Sequence, residues 1–387
     1  MSTECLYYQN AYIRSFDAVV KSCKMQGERY AVVLDKTAFF PEGGGQLADL
    51  GTLNGKRILD VQLCDGEVVH FCETGFAAGE KVFGEIDWEN RFSLMQQHSG
   101  EHLLSGIIHR RYGFDNIGFH MSARSICVDF NGVIPAEDIL LIELEVNKAV
   151  WSNIESEIIY PDENELVTID YRSKKTIEGQ VRIVRFSEID VCACCGTHVH
   201  RTGEIGAFKI LNISKAHGGT RLEVVCGKQA LDFLQRINEQ NNSIGKLLSA
   251  KPLETAEAVQ RLLEDRNEVL RKLNLIEKQQ FELIAKSMKG KVNCLLFEDD
   301  LSSDGVRDLV IAVMRYCSGI CAAFSGNDET GYKYAIGSQS IDLRELVKKM
   351  NSTLCGRGGG KPFFAQGTVN KQKSEIDTFF IANGFEP

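Results

Sequence analysis

The segment NRFSLMQQHSGEHLLSGIIHRRYG, residues 90–113, determines the predicted fold more strongly than any other part of the sequence. Its apolar side chains recur at the spacing of an amphipathic helix: Phe92, Met95, Leu103 and Ile107. Gly113 is placed to end that helix. His98 and His102 lie four positions apart, so their imidazoles project from one face of the helix, one turn apart. Two rings in this arrangement can converge on one metal ion.

The residues before this helix predict short strands separated by turns. The predicted strands are rich in β-branched and aromatic residues: YAVVLD (30–35), RILDVQL (57–63), EVVHFCE (67–73) and KVFGEID (81–87). No long helical period interrupts them, so a small β-barrel or sandwich is expected over residues 1–89. The glycine-rich segment PEGGGQLADLG (41–51) lies between the first two strands, and its three consecutive glycines fit poorly inside a helix or strand.

The residues after this helix predict a mixed α+β domain. A second amphipathic helix follows Pro135, and a run of strands follows that helix. The predicted strands are LVTIDY (166–171), VRIVRF (181–186), GAFKILNISK (206–215) and RLEVVCG (221–227). Helices followed by a run of strands indicate a largely antiparallel sheet. This domain is predicted to span residues 90–227.

The last 160 residues predict a helical arm and a compact α/β domain. Residues 228–290 are helical almost throughout, with a break at Pro252 and an imperfect heptad stripe that favours a homodimer. Residues 291–387 alternate between predicted strands (292–299, 319–326) and predicted helices (307–317, 341–354). They contain a second glycine cluster, GRGGGKPFFAQG (356–367).

The composition and net charge limit the functions that this protein can have. The N-terminus lacks a basic region followed by an apolar run, and no stretch approaches the roughly 18 apolar residues of a membrane helix. Thirteen cysteines without an export signal indicate a reducing cytoplasm, where clustered Cys and His suggest a metal or catalysis. The net charge of −9 does not indicate nucleic-acid binding, so any phosphate contact requires local cations such as Arg172, Lys174 and Lys175.

A second cluster of possible ligands lies in VCACCGTHVHRTGEIG (191–206). Gly196 favours a tight turn that would bring Cys194 and His198 to one side. Together with His98 and His102 they form a nitrogen and sulfur ligand set, which favours one Zn²⁺ over Mg²⁺ or Ca²⁺. Cys192 and Cys195, in CxxC spacing, remain alternatives to Cys194.

The same helix also matches a zinc-peptidase pattern. HSGEH (98–102) fits H-x-x-E-H, in which Glu101 would be the general base. That alternative needs a further carboxylate ligand, for which Glu143 and Glu145 are candidates. It would leave the CCGTH turn unexplained.

These motifs together resemble a known family. HSGEHLLSG is similar to the HxxxH helix of the editing domain of alanyl-tRNA synthetase and of the free-standing AlaX proteins. CCGTHVHRTGEIGAFKI resembles the family's CGGTHV…TGxIG segment, with Cys195 in place of its first glycine. TAFFPEGGGQLADLGTL (37–53) and GRGGGKPFFAQG are similar to the family's N-terminal and C-terminal glycine-rich segments. Four motifs in the family's order cover nearly the whole chain.

The resemblance implies a long-form AlaX protein. Its expected architecture is α+β multidomain: an N-terminal β-barrel, a zinc-containing editing domain, a helical arm and a C-terminal α/β domain. About ninety residues precede the HxxxH helix, too few for an aminoacylation domain. The implied activity is therefore hydrolysis of Ser-tRNA(Ala), with Gly-tRNA(Ala) as a second substrate, and no aminoacylation. The alternative is a non-catalytic tRNA-binding module with a structural zinc.

Roles for individual residues follow from the resemblance and from residue chemistry. The resemblance places Thr37 where its hydroxyl would read the serine side chain. Gly43, Gly44 and Gly45 would allow the backbone to approach the substrate, and Gln46 and Asp49 would make polar contacts with it. Arg357 and Lys361 would bind the tRNA backbone. Glu101 is the carboxylate nearest to the ligands, although on a helix it points about 100° away from His102.

Overall fold

The computed structural model describes residues 3–122, 124–173 and 179–386. They form two compact units, of which the first ends at Ser243 and the second begins at Ile244. The multidomain α+β organisation expected from the sequence is present, while the finer division at residues 89, 227 and 290 stays a prediction. Within the described residues, every helix is too short or too polar to cross a membrane.

Six strands close a barrel at the start of the first unit, in the order β2-β3-β7-β6-β5-β8. They are β2 (Ser15–Gln26), β3 (Arg29–Leu34), β5 (Gly51–Leu53), β6 (Lys56–Cys64), β7 (Glu67–Cys72) and β8 (Lys81–Ile86). The short elements β1 (Glu4–Cys5) and β4 (Lys36–Thr37) pair in parallel, with α1 (Leu6–Gln9) between them in the chain. Exposed and buried side chains alternate along β8, as the period of two residues requires.

The long helix α2 (Trp88–Tyr112) follows the barrel directly. Asp87 caps its N-terminus by accepting a hydrogen bond from the Asn90 amide. Gly113 ends it in the left-handed conformation at φ 70°. Every residue from Leu94 to Ile108 is buried, because the helix crosses the core of the unit.

Two antiparallel sheets complete the first unit. One has the order β14-β15-β10-β9 and the other the order β11-β12-β13. Their strands are β9 (Asn116–Met121), β10 (Ile126–Phe130), β11 (Ser156–Ile159), β12 (Ile183–Phe186), β13 (Asp190–Ala193), β14 (Phe208–Ala216) and β15 (Gly219–Cys226). The helices are α3 (Ile139–Trp151) and α4 (Glu163–Leu166). Leu103, Ile107, Val128 and Val146 belong to the shared apolar core.

One predicted strand of this region was wrong. The stretch LVTIDY (166–171) contains no named strand, and α4 ends at its first residue. Asp162 and Glu165 form a capping box that starts this helical turn. Val167 is 88% exposed, so this apolar side chain of the alternating pattern has no core against which to pack.

Helix α5 (Gly227–Leu248) belongs to the first unit up to Ser243, where the boundary between the units falls. Helix α6 (Thr255–Ser287) belongs to the second unit. The second unit then has a five-stranded sheet in the order β16-β17-β18-β20-β19. Its strands are β16 (Cys294–Phe297), β17 (Ile320–Asn327), β18 (Gly331–Ser338), β19 (Arg357–Lys361) and β20 (Phe364–Val369). Its other helices are α7 (Ser303–Val313), α8 (Arg344–Thr353) and α9 (Lys373–Ile381). The glycine cluster at residues 356–367 therefore forms most of a β-hairpin at the sheet edge, with the triglycine inside β19.

Candidate metal centre

Four side chains converge in the core of the first unit: His98, His102, Cys194 and His198. Their possible ligand atoms all lie within 4.8 Å of one another. Nε2 of His98 and Nε2 of His198 each lie 3.4 Å from Sγ of Cys194. The three imidazoles are 2% exposed, whereas Cys194 is partly exposed. The structure thus brings together the four residues proposed as ligands from the sequence.

The turn after β13 depends on glycine. A Cβ atom at Gly196 would lie 2.1 Å from Cε1 of His98 and 2.9 Å from Oε1 of Gln46. The missing side chain therefore lets the turn pack directly against the His98 ring. The Gly196 amide donates to Sγ of Cys194 at 3.3 Å, which orients this sulfur within the turn.

The alternative cysteines face elsewhere. Cys195 is exposed, and Cys192 is buried at the end of β13 with its thiol directed to the Ala193 carbonyl. Cys192 groups with His102 and Asp190, and it is not a member of the group formed by His98, His102, Cys194 and His198. The geometry therefore favours Cys194 as the sulfur ligand.

Each imidazole has an oxygen beside its second ring nitrogen. Nδ1 of His98 lies 2.8 Å from Oε1 of Gln46, and Nδ1 of His198 lies 3.2 Å from Oγ of Ser99. Nδ1 of His102 lies 2.8 Å from Oδ2 of Asp190. Such partners fix the orientation of a metal-binding histidine and leave Nε2 for the ion.

A partly buried arginine, Arg172, supports Asp190, the partner of His102. Nε of Arg172 donates to the other carboxylate oxygen of Asp190 at 2.7 Å. Burial opposes ionisation of Asp190, but His102 and Arg172 hold the pKa of this carboxyl below its ordinary value. Asp190 therefore presents a carboxylate to His102.

The electrostatics of the four side chains suit a cation. Burial raises the pKa of the Cys194 thiol, but the His98 and His198 rings beside it hold this pKa well below its ordinary value. Burial, with the neighbouring imidazoles, lowers the pKa of His198 to about 3. Burial also disfavours the charge on His102, yet Asp190 and Cys194 raise its pKa to about 9. A thiolate among imidazoles is a donor set that fits Zn²⁺.

The glycine-rich segment lies against this centre. Gly44 and Gly45 have φ values of +62° and +88°, and the backbones of Gly43 and Gln46 exchange two hydrogen bonds around them. This is the pattern of a tight turn with left-handed central residues, which favours glycine at both. A Cβ at Gly45 would lie 2.4 Å from Cδ1 of Phe119, whose ring stacks on His98 with centroids 5.2 Å apart.

Thr37 and Asp49 lie on either side of the glycine-rich turn, and the fold occupies the polar atoms of both. The Thr37 hydroxyl is 2.8 Å from Nε2 of His70 and accepts a hydrogen bond from the Phe39 amide. Asp49 pairs with Arg91, whose Nε donates to its Oδ1 at 2.7 Å. All four side chains (Thr37, His70, Asp49, Arg91) are 0% exposed.

The remaining predicted residues do not belong to the group of four converging side chains. Glu101 accepts hydrogen bonds from Ser105 and Asn116. Glu143, the proposed peptidase carboxylate, pairs with Lys209, and Glu145 pairs with Arg110. Arg357 and Lys361 are exposed on β19 in the second unit. Lys174 and Lys175 lie outside the described residues.

Ser99 and Asp190 were not identified from the sequence, and Arg172 was predicted as a local cation for phosphate contact, whereas the structure pairs it with Asp190. Ser99 follows a ligand directly, and Asp190 precedes the CxxC spacing, but neither position carries a metal-binding pattern. Only the packing of α2 against β13 places Asp190 beside His102. In the sequence these residues are marked only by their proximity to the ligand motifs. That proximity does not specify which of their atoms contacts which imidazole.

The fold and the site together define an α+β protein with a candidate centre of three histidines and one cysteine. Residues 181–223 match the threonyl and alanyl tRNA synthetase second additional domain. Residues 3–90 match the family described as tRNA synthetases class II (A), and residues 290–381 match the DHHA1 domain family.

Similar proteins extend these matches to the full chain. The alanyl-tRNA editing protein AlaX-L of Pyrococcus horikoshii is 30% identical over 397 residues, which covers 96% of each chain. The alanyl-tRNA editing protein Aarsd1 of Danio rerio is 27% identical over 418 residues, with 100% of this chain and 98% of that protein covered. An alanine–tRNA ligase of Hyperthermus butylicus is 30% identical over 390 residues, but only 42% of it is covered. This chain belongs to the AlaX-L family of alanyl-tRNA editing proteins.

Proposed function

We propose that this protein is a zinc-dependent hydrolase that deacylates mischarged tRNA(Ala) in trans. Its main substrate would be Ser-tRNA(Ala), with Gly-tRNA(Ala) as a second, and the products would be the free amino acid and tRNA. The observation that carries the proposal is the convergence of His98, His102, Cys194 and His198 beside an exposed glycine-rich turn. The names of the AlaX-L and Aarsd1 relatives support the substrate class.

The chemistry requires attack of water on the ester that joins the amino acid to the terminal ribose. A bound Zn²⁺ would polarise the ester carbonyl and lower the pKa of water at the site. The protein's own residues hold three imidazoles with Nε2 facing one point, through Gln46, Ser99 and Asp190. Burial of these rings lowers the local dielectric, which strengthens electrostatic interactions with the reacting ester.

The glycine-rich turn is the proposed substrate contact. Gly43 and Gly44 are exposed, and a Cβ at Gly44 would have no heavy atom within 4 Å. Open backbone beside the ligands could therefore meet the aminoacyl group. In this proposal Thr37 and Asp49 anchor the chain on either side of the turn and do not contact the substrate, because their side chains are buried and hydrogen-bonded within the fold. Glu101 has a similar supporting position beside Ser105 and Asn116.

Contact with the tRNA backbone is assigned to the second unit. Arg357 and Lys361 flank the triglycine of the edge strand β19, and all five residues of this strand are exposed. Cations and open backbone amides are suitable partners for phosphates. Substituting both residues with Ala should weaken tRNA binding and reduce its salt dependence, without changing the zinc content.

A homodimer through the helical arm and the C-terminal domain is part of the proposal. Helix α6 exposes Leu262, Val269, Leu273 and Ile276 to between 50% and 63%, a costly arrangement for an isolated helix. Sedimentation should show a dimer that Ile276→Glu converts to monomer. Val167→Glu, at a position 88% exposed in the first unit, is the matched control and should leave the dimer intact.

The cellular site proposed is the cytoplasm, supported by thirteen free cysteines, which a reducing compartment would maintain.

One assay tests the proposed activity. Ser-tRNA(Ala), Gly-tRNA(Ala) and Ala-tRNA(Ala) are incubated with the protein, and release of the amino acid is measured. The proposal predicts hydrolysis of the first two and sparing of the third. Binding of tRNA without hydrolysis would instead support the alternative, a tRNA-binding module with a structural zinc.

A further inference from the structure

Gln46 links the barrel's glycine-rich turn to the metal centre. It is the last residue of the tight turn and its side chain is 0% exposed. Its Oε1 lies 2.8 Å from Nδ1 of His98 and accepts a hydrogen bond from the Thr197 amide at 3.0 Å. Its Nε2 donates to Oγ1 of Thr197 at 2.8 Å. One amide group therefore contacts a ligand on α2 and the turn that carries two other ligands.

These contacts determine where the proton of His98 resides. A backbone N–H can only donate, so the Gln46 atom that faces the Thr197 amide must be the carbonyl oxygen. Because Nδ1 of His98 approaches the same oxygen, it must carry a hydrogen. The other ring nitrogen, Nε2, then has a free lone pair, and it lies 3.4 Å from Sγ of Cys194.

We propose that Gln46 is a positioning residue for the metal centre rather than a contact to the substrate. It holds His98 in the tautomer and orientation that bind zinc, and it holds the 194–198 turn at the same time. This inference rests on the proposed function only in that the centre binds zinc, and it needs no tRNA. A substrate role would require a polar atom left free for the substrate, whereas both polar atoms of the Gln46 amide are hydrogen-bonded within the fold.

Gln46 connects the metal centre to a distant part of the chain, which Ser99 and Asp190 do not. Ser99 is on α2 and Asp190 is on β13, so they lie next to the ligands in the chain. Gln46 comes from the barrel, 52 positions before His98. A second contact, between Arg91 and Asp49, fixes the far end of the segment two helical turns earlier on α2. The glycine-rich segment is therefore attached to α2 at two points, through Gln46 at His98 and through Asp49 at Arg91.

The test measures zinc affinity by competition with a chromogenic chelator, on the full-length protein without tRNA. Gln46→Leu removes all three hydrogen bonds at similar volume and should weaken zinc binding about 10- to 100-fold. Gln46→Glu keeps an acceptor for His98 and for the Thr197 amide, while the Thr197 hydroxyl can turn to donate, so its affinity should stay within about threefold. Gln26→Leu, at an exposed position on the barrel, is the matched control and should match wild type.

A second readout reports on geometry. With Co²⁺ in place of zinc, the visible ligand-field spectrum of Gln46→Leu should shift, while that of Gln46→Glu should match wild type. If Gln46→Leu does not fold, Thr197→Val and Thr197→Ser decide the question. The valine variant, which leaves Nε2 of Gln46 without its acceptor, should weaken zinc binding, whereas serine should not.

Two results would overturn the inference. One is wild-type zinc affinity and spectrum in Gln46→Leu with a raised KM for Ser-tRNA(Ala), which would make Gln46 a substrate contact. The other is equal loss of affinity in Gln46→Leu and Gln46→Glu, which would exclude the acceptor as the cause. Absence of deacylation in wild type would contradict the proposed function, while the zinc affinities would still decide the role of Gln46.

Discussion

Nδ1 of His102 lies 2.8 Å from Oδ2 of Asp190, and the two side chains are 2% and 1% exposed. A carboxylate behind a histidine ligand orients the ring and increases the basicity of the nitrogen that faces the metal. Asp190→Asn should therefore weaken zinc binding about 10-fold, as measured by chelator competition. His109 and Asp115 form a similar pair at 3.0 Å on the surface, so Asp115→Asn is the control. Equal zinc affinity in both variants would contradict a role for Asp190.

The turn between the sulfur ligand and His198 should tolerate change at residue 195 but not at residue 196. Gly196→Ala would place a Cβ 2.3 Å from Nδ1 of His98, so the ring or the turn must move. We expect zinc to be lost from this variant, as measured by metal analysis of the purified protein. Cys195→Gly, which introduces the glycine typical of the family, should keep one zinc per chain. Loss of zinc from Cys195→Gly would make Cys195 a ligand and contradict the assignment of Cys194.

The buried pair between Arg91 and Asp49 should be important for stability. Arg91→Met would leave the Asp49 carboxylate buried without its partner, at a cost of about 3–5 kcal/mol in the free energy of unfolding. Urea denaturation measures this loss. Arg344 and Asp342 form an ion pair with side chains 70% and 44% exposed, so Arg344→Met should unfold at the wild-type urea concentration. Wild-type stability of Arg91→Met would contradict the proposed docking of the glycine-rich segment.

His70 should make the barrel sensitive to acid. Burial lowers the pKa of His70 from 6.5 to about 4, because the protonated form is disfavoured in the folded state. The unfolded chain binds this proton below pH 6.5, so the stabilising contribution is complete above pH 6.5 and is lost as the pH falls toward 4. The loss should reach about 3 kcal/mol, since one pKa unit corresponds to about 1.4 kcal/mol. His70→Gln lacks this proton site, so its stability should fall less than that of wild type between pH 7 and pH 4.5 in urea titrations. Equal losses would contradict the prediction.

The strongly periodic parts of the fold could be predicted from the sequence. The helix containing His98 runs from Trp88 to Tyr112, close to the predicted span of 90–112, because its apolar spacing and the terminal Gly113 mark it in the sequence. The strand predicted at LVTIDY was wrong because its Val167 is 88% exposed, and because a capping box starts a helical turn that ends at Leu166. The RGGGK cluster is a strand although glycine disfavours strands, because it pairs with β20 along its whole length.

The candidate site could be predicted only at the level of ligand motifs. Histidines one helical turn apart and a Cys-Cys-Gly-Thr-His turn carry their chemistry in their spacing, so both could be found without a structure. The partners of those ligands depend on which elements pack together. Gln46, considered from the sequence as a substrate contact, lies against His98 only because the barrel turn docks on α2. No local pattern specifies that contact.

The most direct test of the account is a zinc titration of metal-free protein, with hydrolysis of Ser-tRNA(Ala) measured at each step. We predict that activity is absent without metal, rises in proportion to added zinc and saturates at one ion per chain. Cys194→Ala should neither bind the ion nor gain activity. Full hydrolysis by the metal-free protein, or by Cys194→Ala, would contradict the central claim that these four side chains form the catalytic zinc centre.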